Sequence, residues 1–146
     1  MTGSDPKTND EDGGPVDTDL LDRIAERLST DSRFATVEIR PPSSPEAVVC
    51  IYNGGYYPPT VSTARVEITW FENGDFSIHY HEQHDKGQFD HRWDRHPSTH
   101  NAREHIHPGP DAPTPGVNTE YPTDWRDILS VVLTEIENRQ QAFWRE

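Results

Sequence analysis

In "DTDLLDRIAERLSTD" apolar residues recur every three or four positions. Leu20, Leu21, Ile24 and Leu28 form one stripe, which predicts a short amphipathic helix with Asp17 or Thr18 as its N-cap. The period then changes to two. "FATVEIR" and "AVVCIY" read as strands separated by the breaker "PPSSP", and "NGGYYPP" marks another turn. Three further strand-like runs follow, "VSTARVEITWF", "DFSIHYHEQ" and "QFDHRWD". Helical spacing returns in "PTDWRDILSVVLTEIENRQQAFW", with Trp125, Ile128, Leu129, Val132, Ile136 and Phe143 on one stripe and Thr123 or Asp124 placed to cap it after Pro122. These elements predict an α+β fold: an antiparallel sheet of four to five strands, the C-terminal helix packed on one face, and a short N-terminal helix.

The turns set the pairing. In "FENGD" a three-residue loop with Gly74 in the left-handed region matches apolar face to apolar face, where a two-residue Asn-Gly loop would not. It pairs Trp70 with Phe76, Ile68 with Ile78 and Val66 with Tyr80, and so sets Glu67 across from His79 and Arg65 across from His81. The same rule applied to "HDKGQF" pairs Tyr80 with Trp93, His81 with Arg92 and His79 with Asp94. One face of the sheet is then expected to carry Arg65, Glu67, His79, His81, Arg92 and Asp94.

Composition refines this picture. Residues 1–16 are polar and acidic and read as a disordered tail, leaving residues 17–146 as a single domain with a long His- and Pro-rich loop at about 95–121. Hydrophobic residues make up only 31%, so the core must lean on its aromatic rings. The lone Cys50, flanked by apolar residues, excludes an intramolecular disulfide and reads as a small buried hydrophobe. No apolar run reaches the roughly 18 to 20 residues that span a bilayer, and the acidic amino terminus lacks the apolar region of a signal peptide. A cytoplasmic protein without membrane contact is expected.

The formal charge of −13 comes with only two lysines, Lys7 and Lys86. An acid-rich, lysine-poor surface stays hydrated in concentrated salt, which suggests a halophilic cytoplasm. Against that background all eight histidines fall between His79 and His107, where five acids face four bases, so nearly the whole negative excess lies elsewhere.

Two chemistries suit these histidines. His79-Tyr80-His81 and His105-Ile106-His107 both project two imidazoles from one side of a strand, and with Asp94 or Glu67 could hold zinc. Alternatively, RNA can be cleaved without a metal or other cofactor, because its own 2′-hydroxyl is the nucleophile. The protein then supplies His79 or His81 as base, His105 or His107 as acid, Arg92 as phosphate clamp, and Asp94 or Glu67 to orient them. Arg65, His96 and His100 are expected to line the substrate path. Tyr80, Trp93 and the Tyr56-Tyr57 pair would stack on bases if exposed.

"HYHEQHDKGQFDHRWDRHP", "EHIH" and "YPTDWRDILSVVLTEI" together resemble the TumE-type family of toxin-antitoxin toxins, over about residues 79–136. The shared features are a Tyr/His-rich strand, an Asp-x-x-Gly turn, an Arg-aromatic-Asp strand end, a His-Pro step and a His-rich loop before a helix. The resemblance implies a toxin-type protein with a cognate antitoxin, and carries over to His79, Tyr80, Arg92, Trp93, Asp94, His96, His105 and His107. The chain departs from the pattern at Arg95-His96-Pro97, with His100 set later, and in its acidic tail, leading helix and extension from about Asn138. The reading is a divergent haloarchaeal toxin acting on RNA; a metal-binding module or a non-catalytic interaction protein is the alternative.

Overall fold

The computed structural model describes residues 14–145. Helix α1 covers Thr18–Ser29, and the Asp17 carboxylate accepts from the Leu20 amide at 3.0 Å, as its N-cap position requires. Seven strands follow: β1 Phe34–Arg40, β2 Ala47–Tyr52, β3 Val61–Trp70, β4 Phe76–His84, β5 Gly87–Arg95, β6 Glu104–His107 and β7 Val117–Asn118. Helix α2, Trp125–Ala142, closes the fold, capped by the Asp124 side chain on the Arg126 amide at 2.8 Å. The strands form one antiparallel meander in sequence order.

The sheet is therefore larger than the four to five strands the pattern predicts. β6 and β7 account for the excess, since both lie inside the segment read as a loop. Four and two residues are too few to display a period, and they are strands because β5 offers its free edge to β6, and β6 in turn offers its own to β7.

The helices cover one face. Leu21, Ile24 and Leu28 of α1 and Ile128, Leu129, Val132 and Ile136 of α2 meet Val48, Cys50, Val66, Ile68, Ile78 and Trp93. Each such side chain removed from water contributes about 1.5–3 kcal/mol. Cys50 is fully buried there, and burial pushes its thiol up to about 12, so it is an inert core residue. Trp125 and Phe143, expected on the stripe, are only partly buried, whereas Leu133 and Gln140 are buried.

β3 and β4 pair as the turn predicts, with Trp70 opposite Phe76, Glu67 opposite His79 and Arg65 opposite His81, and with Gly74 at φ +94°. The β4–β5 register differs from expectation by two residues. His84 pairs with Gly87 around an Asp85-Lys86 turn, so Tyr80 faces His91, His79 faces Arg92, His81 faces Asp90 and Asp94 faces Ser77. A shift of two preserves parity, and every side chain keeps the face predicted for it.

At the amino end, residues 1–13 of the expected tail lie outside the described residues. Pro15 and Val16 are tied to the β3–β4 turn, the Glu72 amide donating to the Pro15 carbonyl at 2.9 Å and Val16 bridging Phe71. Among the described residues no helix is long and apolar enough to cross a membrane.

Candidate functional site

On the face away from the helices, strand pairing arranges polar side chains in three rows. Arg65, His81 and Asp90 form the first; Glu67, His79, Arg92 and His107 the second; Thr69, Ser77, Asp94, His105 and Asn118 the third. Neighbours within a row are about 4.5–5.5 Å apart at their Cα atoms. The strand histidines and the histidines of the supposed loop thus converge on Arg92, which lies between His79 and His107.

Two clusters grow from these rows. In the first, one oxygen of Asp90 accepts from both His79 Nε2 and His81 Nδ1 at 2.8 Å. Burial works to raise the Asp90 carboxyl, but the hydrogen bonds and charge of His81 and His79 outweigh it and hold it below the usual range. The His79 side chain is 36% exposed and that of His81 12%, so both reach the surface, His79 further.

The second cluster is built on Asp94, which is sealed from solvent. Its Oδ2 accepts from Arg92 Nε at 2.9 Å, and the Nε2 atoms of His96, His107 and His105 stand 3.3, 3.4 and 3.7 Å away. Each of the three rings uses its other nitrogen on a backbone carbonyl: His96 Nδ1 donates to Pro97 at 2.8 Å, His105 Nδ1 to Ala102 at 2.8 Å and His107 Nδ1 to Pro113 at 2.7 Å. A carbonyl can only accept, so the neutral form of each ring turns an Nε2 lone pair toward the carboxylate. Asp94 Oδ1 and His105 Nε2 are buried without a hydrogen-bond partner among the described residues.

Electrostatics differ within the cluster. The bond to Asp94 raises the pKa of His96, against the opposing effect of burial. Burial lowers that of His105. Burial would raise Asp94 itself, but His96, Arg92 and Ser77 together pull it below the carboxylate range. A cleft of about 720 Å³ opens over this cluster, with Arg92, His96 and His100 on its walls.

Several candidates do not take the positions their expected roles require. Arg65 and Glu67 pair with each other along β3, Nε to Oε1 at 3.2 Å, so Glu67 orients neither imidazole cluster. His105 and His107 are 0% and 4% exposed, too deep to hand a proton to a leaving group. Tyr80 and Trp93 lie beneath α2, 1% and 2% exposed, and are not stacking platforms. Their polar ends are used internally: Tyr80 donates to Glu82 and Trp93 Nε1 to Glu135. Tyr57 is buried with them, hydrogen-bonded to Tyr80, while Tyr56 remains exposed.

Asp90 escaped the sequence reading because it rested on the wrong β4–β5 register. The signal was the Gly87 that follows Asp85-Lys86 and sits at φ +146°, which closes a tighter turn. Tyr121 was missed as well. Its hydroxyl donates to the His105 carbonyl at 2.6 Å and accepts from the Asp94 amide at 3.1 Å, locking β6 to β5.

A family model described as Toxin TumE matches residues 17–140, wider than the motif-bearing stretch and inclusive of the leading helix. No curated protein and no solved structure matches the chain. With most of its length under that match, the chain belongs to the TumE toxin family.

Proposed function

We propose that this toxin cleaves RNA, with His79 and His81 as the acid–base pair and Arg92 as the phosphate clamp. The supporting observation is the placement of Arg92, opposite His79 in the strand register and one row from the His81–Asp90 pair. Its Nε is anchored on Asp94, and 37% of the side chain faces solvent.

Neutral His79 takes the proton from the 2′-hydroxyl as O2′ bonds to phosphorus. Protonated His81, whose Nδ1–H is held by Asp90, gives its Nε2 proton to O5′ as the P–O5′ bond breaks. The products are a 2′,3′-cyclic phosphate and a free 5′-hydroxyl. Asp90 holds both rings in place by hydrogen bonds, and Arg92 offsets the charge gathering on the phosphoryl oxygens. The burial of His105 and His107 removes them from the acid role that sequence alone gave them. A cognate antitoxin, as the toxin family suggests, would have to cover this open face.

The test is cleavage of an oligoribonucleotide by the purified protein in low and molar KCl, beside induced expression with growth and ribosomal RNA integrity as readouts. His79→Ala or Arg92→Ala should lower cleavage about 100- to 10,000-fold. A strand carrying 2′-deoxy at the scissile position should stay intact. Cleavage of that deoxy strand, or equal RNA integrity with wild type and both variants, would end the proposal.

A further inference from the structure

We propose that Asp94, His105 and His107 form a binding site for a zinc-class divalent cation, with His96 at its fourth position. This goes beyond the RNA-cleavage reading, which uses none of these residues as acid or base.

The first argument is tautomeric. Carbonyls of Ala102 and Pro113 accept the Nδ1–H of His105 and His107, so both rings present Nε2 lone pairs to a carboxylate that is itself only an acceptor. Three acceptors within 4.8 Å of one another, all buried, repel unless something positive lies among them. Arg92 reaches Asp94 Oδ2 but leaves Oδ1 and His105 Nε2 without partners among the described residues. Metal-binding histidines are held in just this way, the distal ring nitrogen donating to a backbone carbonyl.

The second argument is metric. Zinc–nitrogen and zinc–oxygen bonds of about 2.0–2.1 Å in a tetrahedron put ligand atoms roughly 3.3–3.4 Å apart. Octahedral geometry at that bond length puts them about 2.9 Å apart, close to an ordinary hydrogen bond. From Asp94 Oδ2 to the imidazole nitrogens the separations are 3.3 Å for His96, 3.4 Å for His107 and 3.7 Å for His105. They are long for charge-assisted hydrogen bonds and suited to tetrahedral edges. By contrast both imidazoles of the Asp90 cluster sit at 2.8 Å from one oxygen, as hydrogen-bond donors do.

The ion would join β5 to β6 and fasten the Pro-rich segment between β6 and β7 to the sheet, since Pro113 holds one ligand's ring. The full chain, purified without a histidine tag and stripped with chelator, should take up one Zn²⁺ by elemental analysis and show the visible bands of tetrahedral Co²⁺. Asp94→Asn and His107→Gln should each weaken Zn²⁺ binding at least tenfold, His96→Ala less, and His79→Ala not at all, with circular dichroism reporting the fold. Wild-type protein that retains no zinc and gives no tetrahedral Co²⁺ bands overturns the proposal, as does binding lost with His79→Ala but kept with Asp94→Asn. If either Asp94→Asn or His107→Gln fails to fold, the other variant and the wild-type Co²⁺ spectrum decide. RNA cleavage by chelator-stripped protein would separate this site from the acid–base pair.

Discussion

Glu82 and Asp94 stand on adjacent strands, each sealed from solvent, on opposite faces of one sheet. Glu82 is saturated with donors. Arg139 grips both its oxygens at 2.7 Å, and Tyr80 and His84 add bonds at 2.5 and 2.6 Å. Burial would raise its carboxyl, but these partners hold it below the usual range. Asp94 has one guanidinium and three imidazole nitrogens that stand back at 3.3–3.7 Å. The same residue chemistry therefore does two jobs. A carboxylate whose every lone pair meets a donor fixes the packing of α2, while Asp94 keeps its Oδ1 without a partner among the described residues.

The largest expected effect tests the saturated side. Glu82→Ala strands the Arg139 guanidinium in partly buried surroundings and should cost about 3–5 kcal/mol in urea denaturation. Asp94→Asn in chelator-stripped protein should cost about 1–2 kcal/mol, its main loss being the Arg92 bond. Equal losses would erase the contrast.

Acid should also act first on the helix-covered face. Burial, reinforced by Arg139 and His107, pushes His91 there down to about 4. Between pH 6.5 and that value the unfolded chain binds a proton that the folded chain refuses, so stability falls as pH falls, by about 3 kcal/mol over the window. Glu82 behaves in the same direction but later: its contribution is present above the unfolded carboxylate value and is lost only as pH drops through its depressed folded one. Urea midpoints at pH 7 and pH 4.5 check this, and His91→Gln should flatten the difference.

A smaller effect should be confined to the Asp94 side. A Cβ at Gly116 would come within 2.3 Å of the Ile106 carbonyl and 3.0 Å of His107 Nδ1. Gly116→Ala should therefore push β6 outward, costing about 1–3 kcal/mol while leaving the α2 face packed. Near-ultraviolet circular dichroism would report Trp93 unchanged. Smallest of all, Tyr121→Phe removes the hydroxyl between β5 and β6 and should cost about 1 kcal/mol. A loss rivalling Glu82→Ala would mean that the two faces are not independent.

The sequence made the faces legible but not the alignment along them. Apolar alternation in β3 and β4 assigned His79 and His81 to the polar side, and Gly74 fixed their partners in β3. For β5, moving the chain by two residues leaves every apolar side chain on the core side, so face matching could not choose between Tyr80 and Ile78 as the partner of Trp93. The turn chemistry at Gly87 decided it, and Asp90 came with that decision. The depth of His105 and His107 was out of reach for a different reason. It depends on carbonyls from Ala102 and Pro113, in segments whose composition predicts no regular structure at all. Tyr80 and Trp93 stay open to either role in the sequence because an aromatic ring on a strand looks the same whether a base or a helix covers it.

The sheet narrows toward its carboxyl-terminal edge, from ten residues in β3 to four in β6 and two in β7. A ladder that short holds few amide protons, so β6 and β7 can detach in local excursions that leave the broad end of the sheet intact. Amide hydrogen exchange would then run in two tempos, slow at the wide end and fast at the tip that carries the buried imidazoles. Opening that edge would uncover Asp94 while the His79–His81–Asp90 rows on β3–β5 stay paired.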